Sequence, residues 1–247
     1  AADQIQIITV TDNTPPTFTA PADITIHTDA NCAYDASVTA TGDVTNEADN
    51  CSTGLNATFT DVVADGTCAG SHTITRTWHL QDCSGNAADD QVQIITVTDN
   101  TKPTFTAPID ITIHTDANCA YDASVAFTGD VTDEHDNCDQ TLQATFTDAA
   151  PVAGSCPGSF TITRTWSLVD NCGNAAADQV QTITVSDTTR PTFTRPADIT
   201  IYKNASCNAD SSVASTGDVT NEADNCSTGL QATHADQVTP GACQGTY

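Results

Sequence analysis

A short segment, Gly42–Leu55 with the sequence GDVTNEADNCSTGL, brings carboxylates, amides and a thiol within a few residues of one another. Two chemistries need such groups close together. Oxygen ligands in a loop can bind a metal ion, and a cysteine beside a base can act as a nucleophile. The choice between them depends on the elements that carry this segment.

The same segment recurs along the chain, as an identical copy at 217–230 and as GDVTDEHDNCDQTL at 129–142. A second motif, DNTPPTFTAP at 12–21, returns as DNTKPTFTAP and DTTRPTFTRP at intervals of about 87 and 88 residues. The copies of Cys51 share no nearby histidine, and His135 occurs only in the middle copy. A catalytic cysteine requires a positioned base, so we expect that the protein is not an enzyme.

This period suits an autonomous domain. The chain divides into the last strand of a preceding repeat (1–13), two complete repeats (14–100 and 101–188) and an incomplete repeat (189–247). Within a repeat, about seven short β-branched segments, ASVTATGDV at 36–44 among them, are separated by Gly, Asn, Asp and Pro, which predicts an immunoglobulin-type β-sandwich. Proline in the short joints fixes φ and predicts stiff connections. The predicted fold class is therefore all-β: tandem immunoglobulin-like β-sandwich domains, disulfide-stapled and arranged end to end as a rod.

Side-chain alternation gives two further expectations. In the last strand of the first complete repeat the apolar phase changes between Val92–Ile94 and Ile95–Val97, which predicts a β-bulge. Arg76 and Arg164 are in phase with core residues of their strands. We interpret both arginines as structural, each paired with a carboxylate at the sandwich edge; an arginine that turns outwards to solvent is the alternative.

Composition excludes some partners. With 32 Asp plus Glu against 6 Lys plus Arg, the formal net charge is -26, which repels phosphate backbones, so we expect no nucleic-acid partner. No apolar run approaches the roughly 18 residues that a membrane span needs. The 11 cysteines include no C-x-x-C pair, so they indicate disulfides instead of a zinc ribbon, and disulfides indicate an exported, extracellular protein.

The spacing of the cysteines predicts how they pair. Each complete repeat has four, about 15 to 19 residues apart, which leaves room for one strand and its loop between successive cysteines. Successive cysteines should then alternate between the two ends of a domain, so the first pairs with the third and the second with the fourth. The predicted disulfides are Cys32–Cys68, Cys51–Cys83, Cys119–Cys156, Cys138–Cys172 and Cys207–Cys243, which leaves Cys226 single.

Acidic residues should gather where one repeat meets the next. In an immunoglobulin-type sandwich the incoming linker, the loop between the second and third strands and the last hairpin loop share one end. The candidate Ca²⁺ ligands at the three junctions are Asp12, Glu47, Asp49 and Asp82; Asp99, Glu134, Asp136 and Asp170; and Asp187, Glu222 and Asp224. Their spacing does not match an EF-hand loop. A solvated acidic surface is the alternative, and the sequence leaves both open; no other cofactor is expected.

Several motifs together resemble a known family: VTDNTPPTF, DITI, EADNC, TRTW and the DNCGN turn at Asp170–Asn174. They resemble the HYR-like repeats of giant Bacteroidota cell-surface adhesins, over the whole chain. The resemblance implies an immunoglobulin-like fold, export by the type IX secretion system and a long surface filament, which in gliding-motility adhesins is carried along the cell by an envelope motor. The turn at Asp82–Asn86 departs from the motif, since its cysteine comes one position early, which makes a Cys51–Cys83 bridge less secure.

These observations predict stalk repeats of a secreted cell-surface adhesin filament that serves surface adhesion and gliding motility. The expected partners are neighbouring repeats of the same chain, an extracellular surface or polysaccharide bound through other parts of the protein, and the envelope motility machinery. The alternative is a spacer or carbohydrate-binding array of a secreted multidomain hydrolase. A third hypothesis, polysaccharide binding by the repeats themselves, needs exposed aromatic platforms, and aromatic residues form only 5% of the chain.

Overall fold

The structure is a computed structural model that describes residues 2–239 and residue 241. The described chain is built from short β-strands with three one-turn helices between them. It forms two compact units, of which the first contains Ala1–Thr106, Val131–Thr145 and Trp166–Gln179, and the second contains Ala107–Asp130, Phe146–Thr165 and Val180–Tyr247. This division cuts across the sequence repeats, because parts of the second complete repeat belong to each unit.

The first complete repeat lies in the first unit. Its elements are β1 (Thr17–Thr19), β2 (Ile24–His27), α1 (Val38–Thr41), β3 (Thr45–Ala48), β4 (Thr58–Asp65), β5 (His72–His79) and β6 (Gln91–Thr98). A four-stranded sheet has the order β2-β6-β5-β4, in which β2 runs parallel to β6 and the other neighbours are antiparallel. Strands β1 and β3 form a separate antiparallel pair.

A hydrophobic core joins the two layers of this repeat. Phe18 of β1 packs against Trp78 and Leu80, which lie in or just after β5. A second cluster surrounds Ile74 and Ile95 on the neighbouring strands of the large sheet. Alternate residues of β5 point inwards, as the two-residue period of a strand requires. The repeat is therefore a two-layer, all-β sandwich, in agreement with the predicted fold class.

The second complete repeat has the same order of elements with one short strand, β11, added. They are β7 (Thr104–Thr106), β8 (Ile111–His114), α2 (Val125–Thr128), β9 (Thr132–His135), β10 (Thr145–Asp148), β11 (Val152–Ala153), β12 (Phe160–Ser167) and β13 (Gln179–Ser186). The large sheet has the order β10-β12-β13-β8, with β11 beside β12, and in the second unit its core is formed by Ile162, Ile183 and Val185. In the first unit, β7 pairs with β9. The incomplete repeat contributes β14 (Thr192–Thr194), α3 (Val213–Thr216) and β15 (Thr220–Ala223) to the second unit.

The predicted strand at 36–44 is wrong. Helix α1 occupies its centre, with Ser37 at the N-cap position, and the Thr41 side chain donates to the Ser37 carbonyl oxygen at 2.9 Å. The β-branched residues of this segment favour a strand, but tertiary contacts override that preference. Thr41 accepts a hydrogen bond from Arg76 at 2.8 Å, which is one such contact. The first complete repeat has six strands, and the second has seven because it contains β11.

The predicted β-bulge in the last strand is also wrong. The pairing of β5 with β6 is continuous from His72 opposite Val97 to Trp78 opposite Gln91. The apparent change of phase arises because the inward position between them is held by Gln93, a fully buried polar residue. Its side-chain amide donates to the carbonyl oxygens of Ala22 at 3.0 Å and Thr41 at 2.8 Å, which satisfies its donors inside the core.

Residues 2–13, predicted to be a strand, have no regular secondary structure, and Ile5 and Val10 are 90% and 89% exposed. The equivalent strand β6 is held between β2 and β5 of its own repeat, whereas no described strand pairs with residues 2–13. The incomplete repeat shows the same effect. Phe193 is 58% exposed, while its equivalent Phe18, which packs against a tryptophan, is 7% exposed.

Candidate functional site: the disulfide-linked joint

Three disulfides join consecutive repeats. They are Cys32–Cys138 and Cys68–Cys172 in the first unit and Cys119–Cys226 in the second, with Cα–Cα distances of 5.0, 5.1 and 5.0 Å. Their sequence separations are 106, 104 and 107 residues, longer than one repeat. We call the region around the first two bridges the double-bridged joint.

These bonds replace the predicted pairing within repeats. The predicted bridges Cys32–Cys68, Cys119–Cys156 and Cys138–Cys172 are wrong, because these cysteines bond elsewhere or are free. The predicted Cys51–Cys83 bridge is also wrong, since both thiols are free. Cys226, predicted to be single, is bonded to Cys119. The predicted Cys207–Cys243 bridge involves Cys243, which lies outside the described residues.

The physical reason for the error is that the end of a repeat that carries its first cysteine faces the next repeat. The first and third cysteines do share one end, since a β-carbon on Gly70, two residues after Cys68, would lie 3.0 Å from the sulfur of Cys32. At that end, however, Cys138 and Cys172 of the next repeat provide the partners. Cysteine spacing within one repeat carries no information about the cysteines of a neighbouring repeat.

A side-chain-capped turn presents the first cysteine of each repeat. Asp29 Oδ1 accepts hydrogen bonds from the N–H groups of Asn31 at 2.8 Å and Ala33 at 2.9 Å, and Cys32 has a φ of 59°. The backbone bond from Ala33 and then that from Asn31 stabilise the ionised carboxylate, so they lower the pKa of Asp29 below its ordinary value of 3.8. The same turn is closed in the other repeats by Asp116 and Asn204.

Asparagine side chains complete the double-bridged joint from the facing side. Asn137 Nδ2 donates to the carbonyl oxygen of Asp29 at 2.9 Å, which ties the capped turn to the next repeat. Asn171 Oδ1 accepts the N–H of Ala69 at 2.9 Å, beside the second bridge. Sequence reasoning missed both asparagines, although each directly precedes a cysteine that forms a bridge.

Two glycines allow the backbone to approach these bridges closely. Gly70 has a φ of +75°, and a β-carbon there would collide with the sulfur of Cys138. Gly158 in the second unit has a φ of +73°, and a β-carbon there would collide with the sulfur of Cys226. Glycine is required at both positions by conformation and by space.

Three of the predicted acidic residues meet beside the double-bridged joint. Asp99, Asp136 and Asp170 are all buried, and one oxygen of each lies within 4.8 Å of the others. Backbone N–H groups hold two of them, since Asp136 Oδ2 accepts from Cys138 at 2.8 Å and Asp170 Oδ1 accepts from Cys172 at 2.9 Å. Asp136 Oδ1 is buried without a hydrogen-bond partner. A corresponding cluster in the first repeat consists of Asp12, Asp49 and Asp82.

The predicted glutamates have a different role. The carboxylates of Glu47, Glu134 and Glu222 accept the N–H groups of Ala57, Ala144 and Ala232 at 2.9, 2.6 and 2.7 Å, ten residues further along the chain. The structure therefore separates these glutamates from the aspartate clusters. At the third junction, Asp187 and Asp224 cap local backbone N–H groups, and neither belongs to a three-residue cluster among the described residues.

The aspartate clusters affect the neighbouring thiol. The pKa of Cys51 is raised, first by the charge of Asp12, then by burial and the charge of Asp49. A raised pKa lowers the fraction of the reactive thiolate at a given pH. Oxygen atoms that bind one Ca²⁺ at about 2.4 Å are at most about 4.8 Å apart, so the spacing in each cluster suits such an ion.

Arg76 is a structural residue, as predicted. It is 1% exposed, and its Nε and Nη2 atoms donate to the two carboxylate oxygens of Asp61, both at 2.8 Å. It also donates to Ala36 at 2.6 Å and lies 4.0 Å from the centroid of the Phe59 ring. Arg164 makes the equivalent bidentate pair with Asp148 in the second unit. Both arginines therefore stabilise the sandwich, each through a bidentate pair with a carboxylate of the neighbouring strand.

Comparisons with known proteins give little further guidance. No family model matches the chain. No curated protein matches it either. Among solved structures, the chain is similar to the human mucin-like protocadherin EC1-2 fragment, at 12% identity over 70% of this chain and 99% of that chain, with a TM-score of 0.27. Among the described residues, no helix is long and apolar enough to cross a membrane.

Proposed function

We propose that these repeats form the disulfide-stapled stalk of a secreted cell-surface adhesin filament, with a structural role in surface adhesion. The observation that carries this proposal is that the bridges join repeats to one another instead of closing single repeats. Disulfides of this kind are typical of proteins in oxidising, extracellular compartments. The resemblance to HYR-like adhesin repeats supports the finer assignments, which are gliding motility and export by the type IX secretion system.

The bridges shorten the covalent path along the chain. From Cys32 to Cys226 the backbone has roughly 190 residues, about 650 Å when fully extended. The bridges Cys32–Cys138 and Cys119–Cys226 overlap, so a covalent route through both includes only the roughly 19 residues between Cys119 and Cys138, about 65 Å when extended. Tension therefore cannot draw these repeats out far even when their sheets unfold, which suits a stalk that transmits force.

Single-molecule stretching tests this role. The oxidised protein, held by its two ends, should show little gain in contour length when the repeats unfold, and a reductant should release several hundred ångströms more. A Cys51→Ser/Cys83→Ser variant, which removes two free thiols, should behave like the unmodified chain. Equal contour lengths with and without reductant would contradict the proposal, and tight glycan binding by isolated repeats would favour the carbohydrate-binding alternative.

We also propose that the aspartate clusters bind Ca²⁺. Three buried carboxylates repel one another, and Asp136 Oδ1 has no hydrogen-bond donor to offset its burial. A divalent cation supplies the missing counter-charge, and Ca²⁺ accepts irregular sets of carboxylate oxygens. Residues of the linker, such as Asp99, would then be tied to two loops of the following repeat, which stiffens the joint.

Calorimetric titration tests the calcium sites by their number. The unmodified chain should bind two Ca²⁺ ions, and its melting temperature should be higher in millimolar Ca²⁺ than in EDTA. An Asp136→Asn variant should bind one ion, because the other cluster of Asp12, Asp49 and Asp82 stays intact. Absence of binding heat together with equal melting temperatures would identify the clusters as plain acidic groups.

A further inference from the structure

A small cavity is formed by the segment from the end of β8 to helix α2 in the second unit. Its volume is about 390 Å³, at the lower end of the range for small-molecule sites, and its lining includes Tyr121, Phe127, Asp116 and Asp122. No lysine or arginine is among its described lining residues. Two aromatic rings and two carboxylates therefore share one recess.

The ring of Tyr121 is fixed by the core of the second unit. Its centroid lies 4.7 Å from that of Phe160 in an edge-on arrangement, and Phe160 packs against the core around Ile162. Tyr121 is nevertheless 42% exposed. A ring that is fixed before binding loses little side-chain entropy when a ligand contacts it.

Phe127 is not needed to build the fold. It is 66% exposed on α2, whereas its neighbour Thr128 is buried and accepts a hydrogen bond from Arg164 at 2.8 Å. The equivalent residues are Ala40 in the first repeat and Ser215 in the incomplete repeat. The helix forms in all three repeats, so its formation does not require the phenylalanine.

A following repeat leaves this surface open. In the first unit, where both bridges of the double-bridged joint are formed, the equivalents of Asp122 and Phe127 are Asp35 and Ala40, and both are exposed. The position of the cavity on its repeat is therefore compatible with a joined array.

Backbone hydrogen bonds hold both carboxylates in their ionised form. Asp116 Oδ1 accepts the N–H groups of Ala120 and Asn118, both at 2.8 Å, and Asp122 Oδ1 accepts that of Ser124 at 2.8 Å. These bonds, with that of Ala120 the strongest for Asp116, lower the pKa of each aspartate below its ordinary value of 3.8. Both groups therefore carry negative charge at neutral pH.

We propose that this cavity binds a small alkylated ammonium ion, of the class to which choline belongs. The faces of the Tyr121 and Phe127 rings attract such a cation through their quadrupoles, and the two carboxylates supply the counter-charge. A methylated ammonium ion is less strongly hydrated than a primary one, so it enters a partly apolar recess at a lower desolvation cost. The inference goes beyond the proposed stalk, because it assigns a ligand to a single repeat.

The same charges distinguish a free ion from a lipid headgroup. In a phosphocholine group, a phosphate lies close to the ammonium nitrogen and would be repelled by Asp116 and Asp122. We therefore assign the cavity to the free ion.

Isothermal titration calorimetry of the full chain with choline chloride tests this inference. We expect one choline ion per chain, and weaker binding both of phosphocholine and of the uncharged tert-butyl analogue, in which carbon replaces the nitrogen. Phe127→Ala should weaken choline binding by about 3- to 30-fold, because it removes one aromatic wall. Asp122→Asn, which keeps an oxygen to cap Ser124 but removes the charge, should also weaken it.

The matched control is Phe193→Ala, which removes an exposed phenylalanine of the same unit outside the cavity lining and should leave the affinity unchanged. Equal affinity for choline and its tert-butyl analogue, tighter binding of phosphocholine, or an unchanged affinity in Phe127→Ala would each overturn the inference. Absence of binding heat for choline would overturn it as well. None of these measurements involves the bridges or the aspartate clusters, so their outcome is independent of the stalk proposal.

Discussion

Removal of one bridge from the double-bridged joint should cost a large part of its stability. In the chain-entropy model, a loop of 106 residues such as that closed by Cys32–Cys138 contributes about 4.7 kcal/mol. With Cys68–Cys172 intact, the loop that Cys32–Cys138 closes contains only roughly 70 residues. About 36 of them lie between Cys32 and Cys68, and about 34 lie between Cys138 and Cys172. The expected loss for Cys32→Ser/Cys138→Ser is therefore about 4.4 kcal/mol.

Differential scanning calorimetry of the monomer measures this loss. For a chain of this size, about 4.4 kcal/mol lowers the melting temperature by about 9 to 18 °C. The Cys51→Ser/Cys83→Ser variant is the matched control, since it also replaces two cysteines of the first unit but breaks no bridge. A melting temperature equal to that of the control would refute the entropy argument, and a nonreducing peptide map that links Cys32 to Cys68 would refute the pairing itself.

Three further predictions concern single side chains. Arg76→Met should lower the free energy of unfolding by about 2–4 kcal/mol in chemical denaturation, because it leaves the partly buried Asp61 carboxylate without its partner. Arg195→Met, at an exposed ion pair, should leave the free energy of unfolding nearly unchanged. Gly54→Ala should lower the free energy of unfolding by about 1–2 kcal/mol, because alanine is strained at its φ of +68°. Gly70→Ala should lower it by about 1–3 kcal/mol more and slow formation of the adjacent bridge, because a β-carbon there would also collide with the Cys138 sulfur. The folded-state pKa of Asp29 lies below 3.8, so its contribution to stability is present above that pH and is lost as the pH falls through the lowered pKa. Between neutral pH and pH 2, the melting temperature of Asp29→Asn, which keeps the oxygen acceptor, should therefore fall less steeply than that of the unmodified chain. An equally steep fall would contradict this assignment.

The repeat period and the alternation of side chains were sufficient to predict the sandwich and its core. Ile74 and Trp78 are buried as their spacing indicates, and Arg76 between them has the carboxylate partner that a buried cation requires. Where alternation failed, at Gln93, a polar side chain occupied an inward position and found its acceptors on segments distant in sequence. Periodicity reports polarity, so it could not reveal that the amide donors of such a residue find acceptors inside the core.

The site could be predicted only in part, because its pieces come from different repeats. The expected meeting of Asp99, Asp136 and Asp170 follows from the shared end of an immunoglobulin-type sandwich, and the structure brings these three together. The pairing of Cys32 could not be predicted from one repeat alone. Because the repeats are near-identical, the sequence does not distinguish a bond within a repeat from a bond between repeats. Repetition of the DNC motif was a usable signal, because Asn137 recurs where a neighbouring turn has to be contacted.

The length of the bridges also sets an order of maturation. Each described disulfide spans more than one repeat, so a repeat that has just left the ribosome still lacks the partner for its first cysteine. The first and third cysteines of a repeat therefore have to remain available until the following repeat has folded beside them, because early oxidation would form a bond such as Cys32–Cys68. Covalent closure of the array therefore proceeds one joint at a time behind the growing end of the polypeptide, and each new repeat completes the one synthesised before it.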